Sequence, residues 1–161
     1  MSKLTIAIQM EIDGEQYYLS QAENNKGTAL YQAFVLLAEA EKKHAELLRR
    51  KFTESDTSII GNLPTTESDS LFSGKADYKR DDDVVPGQLE VYAVALDMEQ
   101  KSISLYRELL ADTKDEPNRQ LFEFLIKQEQ DHYAFFDELI TLLRRPREWV
   151  EDAEFGLRKE Y

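Results

Sequence analysis

A chain of 161 residues, 42 % hydrophobic and 32 % charged, is long enough to bury a substantial core as one globular domain. Its formal net charge of −12 argues against nucleic acid as a partner, because such binding needs a basic footprint. The absence of cysteine excludes disulfides, thiolate zinc sites, iron–sulfur clusters and a rubredoxin-type iron centre within the chain.

Six glycines and four prolines point to a mostly helical protein. No window of about eighteen residues is apolar throughout, so no membrane partner is expected. Met1-Ser2-Lys3-Leu4 opens no apolar leader segment, and the expected location is the cytoplasm.

The first helix is expected from Leu4 to about Asn24, with Leu4, Ala7, Ile8, Glu11, Tyr18 and Ala22 on one stripe. Asn24-Asn25-Lys26-Gly27 is a stop signal, and Thr28 can cap the next helix. That helix runs to about Phe52, with Tyr31, Phe34, Leu37, Glu41, His44 and Leu48 facing inward. Residues 53–87 are rich in Ser, Thr, Asp and Gly, and Asp81-Asp82-Asp83 reads as a solvated turn. A connection this long suits a crossover from one end of a bundle to the other. The third helix spans Gln88 to about Asp112, with Tyr92, Ala95, Leu96, Glu99, Ile103, Tyr106 and Leu110 on its stripe. Asp115 is the expected N-cap of the fourth helix, with Pro117 in its first turn. Leu121, Leu125, Glu129, His132, Phe136, Leu139 and Leu143 face inward, and Pro146 should end or kink this helix near Arg145. Residues 146–161 then form a tail whose Trp149 and Phe155 pack on the bundle or a second subunit.

The chain has two histidines, and each closes a Glu-x-x-His unit: Glu41-Lys42-Lys43-His44 and Glu129-Gln130-Asp131-His132. Residues three apart share a helix face, so each unit aims a carboxylate and an imidazole at one point. The units lie 88 residues apart, and both hairpins repeat at that offset. Met10-Glu11 meets Met98-Glu99, Tyr18 meets Tyr106, and Phe34 and Leu37 meet Phe122 and Leu125. Glu11 and Glu41 lie 15 residues either side of Lys26, and Glu99 and Glu129 the same distance either side of Lys114. At about 1.5 Å per residue, each pair sits level in its hairpin. Packing the hairpins about a two-fold axis brings four carboxylates and two imidazoles together near mid-bundle.

One Glu-x-x-His pair on a helix is weak evidence for a metal and is usually a surface or structural pair. Two such units, two further level glutamates and equal turn distances are harder to assign to chance. These glutamates lie on apolar stripes, where unpaired charge is expensive. Four carboxylates carry four negative charges, which two divalent cations balance with neutral histidines as ligands. The pattern therefore predicts a dinuclear metal site held by Glu11, Glu41, His44, Glu99, Glu129 and His132. Oxygen and nitrogen ligands suit iron, manganese and zinc alike.

Two hairpins, each giving a Glu and then a Glu-x-x-His, resemble the ferritin-like di-iron carboxylate proteins. Met98-Glu99-Gln100-Lys101, Leu105-Tyr106 and Glu129-Gln130-Asp131-His132 are most similar to the rubrerythrins. The resemblance covers about residues 4–145. It implies an all-α, ferritin-like antiparallel four-helix bundle over residues 1–145, its hairpins at about 4–52 and 88–145. It also implies two iron ions, with Glu41 and Glu129 bridging and with Glu11, Glu99, His44 and His132 as terminal ligands. Tyr18 and Tyr106 become candidate hydrogen-bond donors behind the ligand carboxylates, the alternative being ordinary core tyrosines. The implied activity is reduction of peroxide or dioxygen, fed by an external electron donor such as a rubredoxin-type protein, in a small homo-oligomer such as a dimer. A ferroxidase or iron-handling protein uses the same ligands, and a non-catalytic helical interaction module is a third reading. The chain departs from the rubrerythrin pattern where a further glutamate is usual three residues after Glu99. Ser102 stands there, Gly14 stands at the matching place in the first copy, and Glu15 is the nearest alternative carboxylate.

Overall fold

A computed structural model describes residues 2–53 and 87–158, with the side chains of the last helix described through Arg144. It contains helices α1 (Lys3–Asn24), α2 (Ala29–Thr53), α3 (Gln88–Asp112) and α4 (Glu116–Arg158), and no strand among the described residues. The hydroxyl of Ser2 accepts from the Thr5 amide at 3.2 Å and starts α1. Gly27, at φ 82°, supplies the left-handed residue that lets the chain reverse within a short turn. The Thr28 hydroxyl donates back to the Asn25 carbonyl at 2.8 Å across that turn. Arg50 and Lys51 complement the carboxyl end of α2, and Lys51 Nζ lies 4.0 Å from the Phe122 ring centroid, tying α2 to α4. Asp115 caps α4 by accepting from the Asn118 amide at 3.2 Å.

α1 packs along α2 and α3 along α4, and the hairpins meet through α1 and α3. Cross-hairpin hydrogen bonds set their direction: Tyr18 on α1 reaches Glu99 on α3, and Tyr106 on α3 reaches Glu11 on α1. As one number rises the other falls, so α1 and α3 are antiparallel. α2 and α3 therefore run parallel, and α2 ends at the opposite end of the bundle from the start of α3, roughly 37 Å away by helix rise. The expected crossover and the Asp81–Asp83 turn lie outside the described residues.

The core is divided in two. One half gathers Tyr18, Phe34, Leu37, Tyr92, Phe135 and Phe136; the other gathers Leu48, Tyr106, Leu121, Phe122 and Leu125. Fully burying one such side chain contributes about 1.5–3 kcal/mol. The two apolar halves thus offset the cost of the polar layer between them, which holds Glu11, Glu41, His44, Glu99, Glu129 and His132.

Two expectations are corrected. Tyr31 is 37 % exposed, because its neighbour Leu30, buried in the core, takes the inward place in the first turn of α2. α4 does not end near Arg145 but continues through Pro146 to Arg158. Proline removes one helix hydrogen bond, and the following Arg147-Glu148-Trp149-Val150-Glu151 contains good helix formers that carry the helix onward. Residues 146–158 are thus helical, and the packing of Trp149 and Phe155 lies outside the described side chains.

Candidate metal centre

Each helix contributes to the polar layer through the face its apolar stripe already buries. Glu11 lies on the stripe of Ala7 and Tyr18, and Glu41 and His44 on that of Leu37 and Leu48. Glu99 follows Ala95, and Glu129 and His132 follow Leu125. All six residues are buried, none more than 3 % exposed.

They converge as two overlapping groups: Glu11, Glu41, His44 and Glu129, and Glu41, Glu99, Glu129 and His132. Within each group, one potential ligand atom per residue lies within 4.8 Å of all the others. Glu41 and Glu129 belong to both. His44 Nδ1 is 2.9 Å from Glu129 and 3.4 Å from Glu11; His132 Nδ1 is 3.2 Å from Glu41 and 3.4 Å from Glu99. The 88-residue repeat thus appears in space as a pseudo-two-fold exchange of the two hairpins. Glu15 is in neither group.

Several of these atoms have no hydrogen-bond partner: Glu11 Oε2, His44 Nδ1 and both Glu129 oxygens. The short His44–Glu129 contact is an ion-pair distance whose direction is wrong for a hydrogen bond. Buried polar atoms left unpaired cost free energy, so a cation accepting their lone pairs accounts for them. The donor set fits two divalent metals. It is hard in its oxygens, intermediate in its imidazoles, and balanced in charge by two dications.

Protonation reinforces that view. Burial pushes the Glu41 carboxyl well up, helped by the charges of Glu11 and Glu129. Burial and the charges of Glu11 and Glu99 raise Glu129 to about 8. Burial also acts on Glu11, but a hydrogen bond from Glu41 and the nearby His44 outweigh it and hold Glu11 at about 2. For Glu99, burial is likewise outweighed by His132 and Glu129, and its pKa falls. Burial opposes charge on both imidazoles, yet Glu11 keeps His44, and Glu99 keeps His132, protonated well above the ordinary range. Without metal, the cluster is neutral because protons occupy Glu41, Glu129, His44 and His132.

Tyr18 and Tyr106 each donate a short hydrogen bond to the first-helix glutamate of the other hairpin, Glu99 and Glu11 respectively. Burial, then the charges of these glutamates, raises both phenols and keeps them as donors. Each fixes one oxygen of a carboxylate, and the other oxygen of Glu11, Oε2, has no hydrogen-bond partner. Tyr18→Phe and Tyr106→Phe are expected to weaken metal binding about 10- to 100-fold while helical content is retained, measured by competition with a metallochromic chelator. Sequence spacing placed the tyrosines two turns beyond Glu11 and Glu99, but not across the hairpins from them.

A cleft was not anticipated. It holds about 340 Å3 between α1 and α3 and reaches Glu41 and Glu99 past Gly14 and Ser102. The only signal for it was the pair of small residues, Gly14 and Ser102, at matching places in the repeat.

The rubrerythrin family profile matches residues 3–140, which include every residue of the cluster. Neither a search of curated proteins nor one of solved structures returned a significant match. With that match spanning most of the chain, and with the ferritin-like bundle and its carboxylate–histidine cluster in place, the protein belongs to the rubrerythrin family.

Proposed function

We propose that this protein is a di-iron oxidoreductase that reduces peroxide. The observation carrying the reading is the pair of overlapping ligand groups that share Glu41 and Glu129 inside a rubrerythrin-family bundle. Glu41 and Glu129 are assigned as shared ligands, Glu11 and His44 as the remaining ligands of one iron, and Glu99 and His132 as those of the other. Two ferrous ions held there supply one electron each, enough with two protons to split a peroxide O–O bond.

The chain's own groups do the rest. Tyr18 and Tyr106 hold Glu99 and Glu11 in place, so the ligands keep their positions as the charge between them changes. The Phe34, Phe136 and Tyr92 layer on one side and the Leu48, Phe122 and Leu125 layer on the other exclude bulk water. The buried carboxylates that bind protons without metal are the groups nearest to pass them on. These 161 residues contain no cysteine for an iron–sulfur relay, and the proposed electron source is a separate donor such as a rubredoxin-type protein. A small homo-oligomer is the proposed assembly.

The reaction is tested by stopped-flow mixing of anaerobic, ferrous-loaded protein with hydrogen peroxide. Oxidation at two electrons per peroxide, at least about 100-fold faster than in Glu41→Ala, is expected. Equal rates would remove the assignment.

A further inference from the structure

The cleft between α1 and α3 is larger than hydrogen peroxide needs. Its volume of about 340 Å3 compares with roughly 30 Å3 for one water molecule. It falls at the lower end of the range, about 300–1,000 Å3, usual for small-molecule sites. Its inner end is formed by Glu41 and Glu99, two of the cluster carboxylates. Gly14 keeps that end open: a Cβ there would sit 3.4 Å from Glu41 Cγ and 3.5 Å from Cδ, so any longer side chain would extend into the space beside the carboxylate. Ser102, its equivalent in the repeat, keeps the opposite wall short.

The walls are mainly apolar. Met10 and Met98, also repeat equivalents, both line the cleft, as does Tyr17, whose hydroxyl is engaged with the Val91 carbonyl at 3.0 Å. The two lining charges outside the cluster have partners on their own helices: Asp13 accepts from Gln9 at 2.9 Å, and Lys101 pairs with Asp97 at 2.8 Å. Thioether side chains adapt to irregular apolar groups, whereas hydrogen peroxide gains nothing from them.

We infer that this cleft is a subsite for the organic group of an alkyl hydroperoxide, with Gly14 and Ser102 as the residues that set its size. The inference rests on the peroxide-reducing reading of the metal centre and names the substrate class. The organic group lies against Met10 and Met98, with the hydroperoxide end toward Glu41 and Glu99. The reaction is ROOH + 2 H+ + 2 e− → ROH + H2O. The O–O bond breaks, one oxygen leaves with the organic group as alcohol, and the other leaves as water. The two electrons come from the two ferrous ions, which an external one-electron donor later re-reduces.

The test uses the three methionines, Met1, Met10 and Met98, as methyl probes. Cumyl alcohol, the product from cumene hydroperoxide, is titrated into zinc-loaded protein carrying 13C-methyl methionine. Saturable shifts of Met10 and Met98, with Met1 unmoved, are expected, and their loss in Gly14→Leu and in Ser102→Leu. Either variant suffices if the other fails to fold, as judged by helical circular dichroism and zinc content. In parallel, ferrous-loaded protein is mixed with hydrogen peroxide and with cumene hydroperoxide. Both should oxidise it, and Ser102→Leu should slow the second at least about tenfold more than the first. Unmoved Met10 and Met98 at saturating alcohol, or oxidation by hydrogen peroxide alone, overturns the subsite while the peroxide reading stands. Oxidation by neither peroxide, with the methyl shifts present, overturns the peroxide reading and the substrate assignment with it.

Discussion

Glu129→Gln is expected to lose the second metal ion and to weaken metal binding by more than about 100-fold, beyond what loss of a supporting hydrogen bond costs. Glu129 belongs to both ligand groups, so removing its charge degrades both sites at once. The amide keeps the shape of the carboxyl group but is a neutral and poorer donor to a hard cation. In the metal-free protein Glu129 is already protonated at neutral pH, its pKa held near 8 by burial and the charges of Glu11 and Glu99. The amide therefore mimics the form that is present, and metal-free stability near pH 7 should change by less than about 1 kcal/mol. Glu11→Gln should behave differently. Glu11 is ionised, with its pKa at about 2, and faces His44 at 3.4 Å. Its loss leaves a buried imidazolium without that partner, a change of the kind that costs about 3–5 kcal/mol. Metal-to-protein ratios and urea unfolding, with and without metal, separate the two variants. Two metals per chain in Glu129→Gln would remove its role as a shared ligand.

The contrast between these glutamates was only partly legible in the sequence. Helical spacing alone placed Glu11, Glu41, Glu99 and Glu129 on buried stripes, and the 88-residue repeat placed them level. Both inferences work because an α-helix converts residue number into height and angle with little freedom. Which glutamates are shared came from the family resemblance; their common membership in two ligand groups is a fact of three-dimensional packing. The Tyr18–Glu99 and Tyr106–Glu11 hydrogen bonds depend on α1 and α3 being antiparallel neighbours, which no local pattern encodes. α4 past Pro146 was missed for a different reason. A proline is a strong local stop signal, costing about 3 kcal/mol or more inside a helix, yet α4 runs through it to Arg158. Ser102 marks a carboxylate missing from the rubrerythrin pattern, with Gly14 at the matching place in the first copy, and only the packed bundle turns these two small residues into a volume.

The metal-free protein is expected to lose stability as pH rises from about 5 to about 8.5, while metal binding strengthens over the same range. The sign follows from each group. Glu129 binds its proton more tightly folded, near 8, than the 4.5 of an ordinary glutamate. Its contribution is complete below 4.5 and drains away as pH rises through 8. Glu41 is shifted the same way by burial and its neighbours. His44 and His132 are raised above 6.5 by Glu11 and Glu99 despite burial, so their contributions are also lost on the alkaline side. Glu11 and Glu99 are lowered, and their contributions, present above 4.5, are lost only as pH falls below it. The metal-free maximum should therefore lie near pH 5, below the usual neutral range. The fall toward pH 8.5 should amount to several kcal/mol, because each tenfold gain in proton affinity on folding is worth about 1.4 kcal/mol. Metal must displace the protons of Glu41, Glu129, His44 and His132, so filling both sites near pH 7 should release about four protons. Urea unfolding across this range measures the first effect. Calorimetry of metal binding in buffers of different ionisation enthalpy counts the protons. Metal-free stability that climbs toward pH 8.5, or binding that releases almost none, would mean that the six side chains are not charge-balanced by protons in the absence of metal. It would also remove the electrostatic reason for a buried cluster of four carboxylates to wait, folded, for two cations.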